Sequence, residues 1–133
     1  MPEGLAREVR EETGVVVGDV GTLAYVTHVD WQRPARVRGR HVAGYVATIW
    51  TFEVASWTGE VRVDDPDRVV VDAVFVHVDD AARRLAATAW LARAAGYLRG
   101  EVRPGSFHAE RWQLDGTVET IHPVGQGGPS HNL

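Results

Sequence analysis

The hydrophobic and polar positions divide the chain into a helix, a block of strands, a second helix and a closing hairpin. In Pro2 to Thr13, Leu5, Ala6 and Val9 give a narrow apolar stripe at helical spacing. Pro2 suits the first turn, where its missing N–H is not needed, and Gly14 is placed to end the helix in a left-handed cap. Val15 to Val17 reads as extended. Val20 to Val29 ("VGTLAYVTHV") alternates well enough to predict a strand. Asp30 to His41 ("DWQRPARVRGRH") is a loop by composition. Val42 to Ser56 ("VAGYVATIWTFEVAS") is apolar on both faces, which predicts a long central strand. Turn signals follow at Thr58-Gly59 and Asp65-Pro66, and Val69 to Val78 ("VVVDAVFVHV") predicts a third strand. Asp79 or Asp80 caps a second helix reaching about Arg99, with Gly100 as its stop. "RWQLDGTVETI" predicts a hairpin with Asp115-Gly116 as a two-residue turn. Residues 124–133 ("VGQGGPSHNL") have the composition of a disordered tail.

This order predicts an α/β domain in which a sheet flanked by two helices buries the apolar strands. Trp50, Phe52 and Phe75 read as core, and Trp90 and Tyr97 as packing residues of the second helix. The first helix is unusual. In a compact α/β domain such a helix leans on a strand that precedes it, and here nothing precedes it.

Composition narrows the chemistry. The chain has 133 residues, 44% hydrophobic and 24% charged, which is ordinary for one globular domain. No apolar run is long enough to span a bilayer and no signal-peptide pattern is present, so the expected compartment is the cytoplasm. Cysteine is absent, which excludes disulfides, thiolate zinc sites and a cysteine nucleophile. All 14 basic residues are Arg, which removes lysine Schiff-base chemistry. The net charge of −4 is too small to name a partner, and the acidic remainder of the chain argues against nucleic acid. The histidines show no short metal-ligand spacing. With no Cys, any metal here would have oxygen or imidazole ligands.

Glu8, Glu11 and Glu12 stand at i, i+3 and i+4 and so share one helix face. Like charges at that spacing repel, and two compensations are open. One is pairing with Arg7 and Arg10, worth only ~0.3–0.5 kcal/mol for each exposed pair. The other is a divalent cation, since Mg²⁺ and Mn²⁺ prefer hard oxygen ligands. Spacing alone favours the first.

The order of residues changes that weighting. "REVREETGV", Arg7 to Val15, resembles the second half of the Nudix box, G-x5-E-x7-R-E-U-x-E-E-x-G-U with U aliphatic. Arg7, Glu8, Val9, Glu11, Glu12, Gly14 and Val15 match every specified position of that half. The resemblance implies a Nudix-like α/β/α sandwich with a mixed sheet. It also implies hydrolysis of a nucleoside diphosphate linked to another group, by metal-activated water. Glu8, Glu11 and Glu12 would be ligands of Mg²⁺ or Mn²⁺, with Arg7 a structural or electrostatic partner and all four in the catalytic centre. "DDPDRVVVDAVFVHVDDAARRL" is similar to the acidic loop, strand and capped helix that follow in many members. A later carboxylate often serves as base, and the residues offered for that place are Glu60, Asp64, Asp65 and Asp67, with Arg68 where a Glu is common.

The first half of the box and the strands before it would fall upstream of Met1. The expectation is a Nudix-type domain over residues 1–100, incomplete at the N-terminus, then a hairpin extension over 101–123 and a tail over 124–133. A domain so shortened is expected to bind metal weakly, to hydrolyse little and to expose apolar sheet surface that favours a homodimer. The substrate is expected at Trp31, Arg36, Arg38 and Arg40. An arginine fork makes bidentate bonds to phosphate, and Trp31 can stack on a base. The competing reading of that loop is an exposed, Arg-solubilised connection. The competing reading of the whole chain is a non-catalytic, Nudix-like nucleotide-binding module or an inactive fragment.

Overall fold

The computed structural model describes residues 2–37, 39–63, 65 and 70–121. They form α1 (Pro2–Thr13), β1 (Val16–Trp31), β2 (Ala35–Val37), β3 (Arg40–Val42), β4 (Tyr45–Thr58), α2 (Val78–Ala86), a 3₁₀ turn (Ala89–Leu91), α3 (Ala92–Leu98), β5 (Ser106–Trp112) and β6 (Val118–Thr120). The chain divides into two compact units: Met1–Tyr25 with Trp50–Ser106, and Val26–Ile49 with Phe107–Leu133.

In the first unit, the start of β1 runs antiparallel to the end of β4. Gly18 lies against Ser56, and Gly21 against Glu53 and Ala55. Successive strand residues face opposite sides. Val54 lines a groove with Val9 and Thr13 of α1, whereas Glu53 accepts a hydrogen bond from the Tyr97 hydroxyl of α3 at 2.6 Å. The two helices therefore flank opposite faces of this strand pair, as a sandwich requires. Tyr97 also packs its ring 5.7 Å from that of Tyr25. Ala24, Tyr25, Ala82 and Ala95 are buried here.

In the second unit the strand order is β4, β1, β5, β6. β5 runs with β1. At its start Gly105 donates to Leu23 and Ala24, within the first unit, and at its end Trp112 accepts from Gln32, within the second. β5 and β6 are antiparallel, with Glu110 opposite Thr120 and Trp112 opposite Val118. The sheet is therefore mixed, and the fold is α/β.

Several local expectations are corrected. Val15 to Val17 and Val20 to Val29 belong to one long strand, except for Val15, which is buried just before it. The loop over Asp30 to His41 contains the β2–β3 hairpin, paired Ala35 with Val42 and Val37 with Arg40. The central strand is β1, which carries the buried run Ala24–Thr27. β4 lies at the sheet edge with Val46, Ile49, Trp50 and Trp57 exposed, so its two apolar faces do not mean double burial. Residues 70–77 form no strand. Val70 donates to the Asp65 carboxylate and Ala73 to that of Asp72, so side chains take N–H groups that a ladder would use. Val71 and Phe75 are 91% and 63% exposed, which removes Phe75 from the core; Trp50 leaves it likewise, and Trp90, expected as a packing residue of its helix, is also exposed.

The second helix is two helices. His77, not Asp79 or Asp80, is the N-cap of α2, its Nδ1 accepting from the Asp79 N–H at 3.3 Å. The aspartates occupy the first turn, where the helix dipole favours them. The helix stops at Ala87 because Thr88 is extended, and Gly100 ends α3 at φ +76° as expected. The closing hairpin turns through Leu114, Asp115 and Gly116, one residue longer than expected. Gly116 N–H bonds the Gln113 carbonyl, and Gly116 supplies φ +88°. The tail over 124–133 lies outside the described residues.

Candidate functional site

α1 ends through three linked contacts. Gly14 N–H bonds the Arg10 carbonyl at 2.9 Å, and the Thr13 hydroxyl bonds the Val9 carbonyl at 2.6 Å. That same Thr13 oxygen accepts from Val15 N–H at 3.2 Å. The Thr13 carbonyl then accepts from Arg62 N–H at 2.7 Å, which docks the Glu60–Arg62 loop on the helix end. Gly14 permits this twice over. Its φ is +77°, and a Cβ there would lie 2.7 Å from the Arg62 carbonyl oxygen and 3.1 Å from that of Glu60. Gly59, at φ +91°, faces Gly14 across the junction.

The docked helix presents its carboxylates outward. Glu8 and Glu11 are exposed and Glu12 is half-buried. Arg7 donates to Glu8 at 2.7 Å and stands 4.0 Å from Glu11, an i,i+4 pair. The Glu8 hydrogen bond, with Glu11 behind it, raises the guanidinium pKa above its already high ordinary value. Arg7 is thus the electrostatic partner of these carboxylates. The donor set suits a hard divalent cation in chemistry, being carboxylate oxygen throughout. Among the described residues, however, no three carboxylates or imidazoles converge closely enough to share one ion. Arg7 occupies Glu8 instead.

Of the base candidates, Glu60 stands on the loop docked at the helix end, and the Asp65 carboxylate accepts from Val70 N–H at 2.8 Å. Asp64, Asp67 and Arg68 lie outside the described residues.

The proposed substrate loop belongs to the second unit and α1 to the first. Within its unit, Trp31 stacks against Trp112 on β5 at 5.2 Å and against Tyr45 on β4 at 5.8 Å. Its strand lies between theirs, so neighbouring rings already occupy the positions a base would take. Its indole N–H is buried and has no partner among the described residues. Arg36 donates to the Gly39 carbonyl at 3.2 Å and so closes its own hairpin, while Arg40 is exposed. Arg38 lies outside the described residues.

The pattern of residues gave less warning of a depression of about 500 Å³ beside α1, lined among the described residues by Ala6, Arg7, Arg10, Glu11, Val16 and Val17. Arg10 falls at the unspecified position of the motif, and only its place one turn from Arg7 hinted at a shared face.

These features define an α/β protein whose first helix carries an Arg-paired row of carboxylates ending at a docked glycine. The family model described as NUDIX domain matches residues 1–97, and the chain belongs to that family. Its members are hydrolases that generally use divalent metals such as Mg²⁺. No curated protein matches the chain, and no solved structure does. Among the described residues no helix is long and apolar enough to cross a membrane.

Proposed function

We propose that the chain is a pyrophosphohydrolase for a nucleoside diphosphate linked to another group. The observation that carries this reading is the placement of Arg7 to Gly14. Arg7 to Glu12 lie on one helix, Glu8 and Glu11 are exposed with Glu12 half-buried, and Gly14 fixes the helix end against the Glu60–Arg62 loop. Glu8, Glu11 and Glu12 are the residues to hold Mg²⁺ or Mn²⁺. The bound cation supplies charge neutralisation at the pyrophosphate and a water of lowered pKa. The chain's own part is to hold three carboxylates on one face and to keep Arg7 beside them as counter-charge. It also offers Glu60 or Asp65 as proton acceptor. A mechanism without a covalent nucleophile suits a sequence lacking both Cys and Lys.

The second reading, a non-catalytic nucleotide-binding module, is favoured by one observation. Among the described residues the carboxylates are not gathered around a common point. The two readings separate in one experiment. Nucleotide sugars, dinucleoside polyphosphates and oxidised nucleoside triphosphates are incubated with the chain and Mg²⁺ or Mn²⁺, and mononucleotide release is followed. The hydrolase reading expects metal-dependent release, reduced about a hundredfold or more in Glu11→Gln and in Glu12→Gln, since losing even an outer-shell partner costs 10–100-fold. Nucleotide binding without release supports the module. Release that is metal-independent, or unchanged in both variants, excludes these glutamates as ligands.

A further inference from the structure

The depression beside α1 carries an assignment that the family motif does not make. It contains two arginines in different states. Arg7 is committed to Glu8 and Glu11. Arg10 is exposed, and among the described residues its guanidinium has no hydrogen bond or ion pair. An arginine fork with all its donors free is suited to bidentate contact with a phosphate. Among the described residues the rest of the wall is Ala6, Val16 and Val17, whose side chains are apolar, with Glu11. Glu11, one turn from Arg7, belongs both to this wall and to the carboxylate row. The cavity volume of about 500 Å³ falls within the range of small-molecule sites.

We infer that Arg10 binds a phosphate of the substrate in this depression, so that the diphosphate lies along α1 with Glu11 between its binding cation and the metal-binding face. The inference rests on the diphosphate reading above. Arg10 is a binding residue in it, and Arg7 remains the partner of the carboxylates. Loss of Arg10 then weakens ground state and transition state alike, raising KM and leaving kcat in place.

The test is calorimetric titration of the whole chain with ADP, inorganic pyrophosphate and adenosine in Mg²⁺. Wild type is compared with Arg10→Ala, Arg10→Lys and Arg103→Ala, the last an exposed arginine of the same unit outside the depression. Expected is about a tenfold loss for ADP and pyrophosphate in Arg10→Ala, the scale of a charge-assisted hydrogen bond. Arg10→Lys should recover part of it, Arg103→Ala should change neither, and adenosine should respond to none. Far-UV circular dichroism should match wild type, because among the described residues the Arg10 side chain makes no hydrogen bond or ion pair and its backbone bond to Gly14 survives the substitution. Equal affinity of wild type and Arg10→Ala for ADP overturns the assignment. So does an equal loss in Arg103→Ala, which would make the effect one of general charge, and so does a wild type that binds neither phosphate compound. A wild type that binds ADP through Arg10 yet releases no product defeats the hydrolase reading alone.

Discussion

Gly14→Ala is the substitution on which the local architecture stakes most, and its cost can be separated into two parts. The first is conformational. At φ +77° an L-residue meets the left-handed penalty of about 1–2 kcal/mol, offset by about 0.4–1 kcal/mol because alanine restricts the unfolded chain. The second is steric. The new Cβ would stand 2.7 Å from the Arg62 carbonyl oxygen and 3.0 Å from its nitrogen, both backbone atoms that cannot rotate away. Forcing a methyl into such a contact costs about 1–3 kcal/mol.

Gly100 isolates the first part. It has nearly the same φ, +76°, and nothing within 4 Å of the position its Cβ would take. Gly100→Ala should therefore cost about 1 kcal/mol and Gly14→Ala about 2–4 kcal/mol, that is, melting temperatures lower by about 4 °C and about 10 °C for a chain of this size. Urea unfolding followed by far-UV circular dichroism reads the difference, provided the m-values agree. Because the steric part acts on the Arg62-to-Thr13 hydrogen bond, the Gly14 variant should also lose amide exchange protection at Arg62. Equal destabilisation by the two substitutions would show that the close approach of the loop carries no energy, and the docking argument would fall.

Other expectations follow from individual contacts. The Arg111 hydrogen bond at 2.9 Å holds the Asp30 carboxylate below its ordinary pKa, so its stabilising contribution is complete above about pH 4 and is lost as pH falls through the lower folded value. The stability gap between wild type and Asp30→Asn should shrink on acidification, and a gap constant down to strong acid would contradict this. The Glu53 bond raises the pKa of Tyr97, so that contribution is complete below about pH 10 and is lost as pH rises through the higher folded value. Ultraviolet titration should show one fewer late-titrating tyrosine in Tyr97→Phe, and an unchanged titration curve would refute the contact. Asp115 accepts from both the N–H and the hydroxyl of Thr117, so Asp115→Ala should lower the melting temperature, and an unchanged melting temperature would mean the turn does not depend on these bonds.

What the chain disclosed about itself follows the range of the interactions concerned. α1 was legible to its last residue because its stripe, its proline start and its glycine end are all local, and Gly14 does adopt the left-handed conformation its position suggested. The closing hairpin was legible for the same reason. β4 and residues 70–77 misled because apolarity records what a segment tends to bury, not what lies beside it. β4 is an edge strand, and 70–77 satisfies its N–H groups on Asp65 and Asp72 while Val71 and Phe75 stand exposed. The site divides along the same line. The order of residues from Arg7 to Val15 identified the carboxylate helix, since that motif is a short-range pattern. It could not show that Trp31 is already stacked between Tyr45 and Trp112, nor that Arg10, unlike Arg7, has no side-chain partner among the described residues, because both depend on residues brought together by folding. The arginines most visible in sequence, Arg36 and Arg40, stand on the β2–β3 hairpin, whereas the quieter Arg10 shares the helix of the carboxylates. A charge that must meet a diphosphate beside a metal gains from a place one or two residues from the carboxylates on a rigid helix, because orientation on a docked element is already fixed before the ligand arrives.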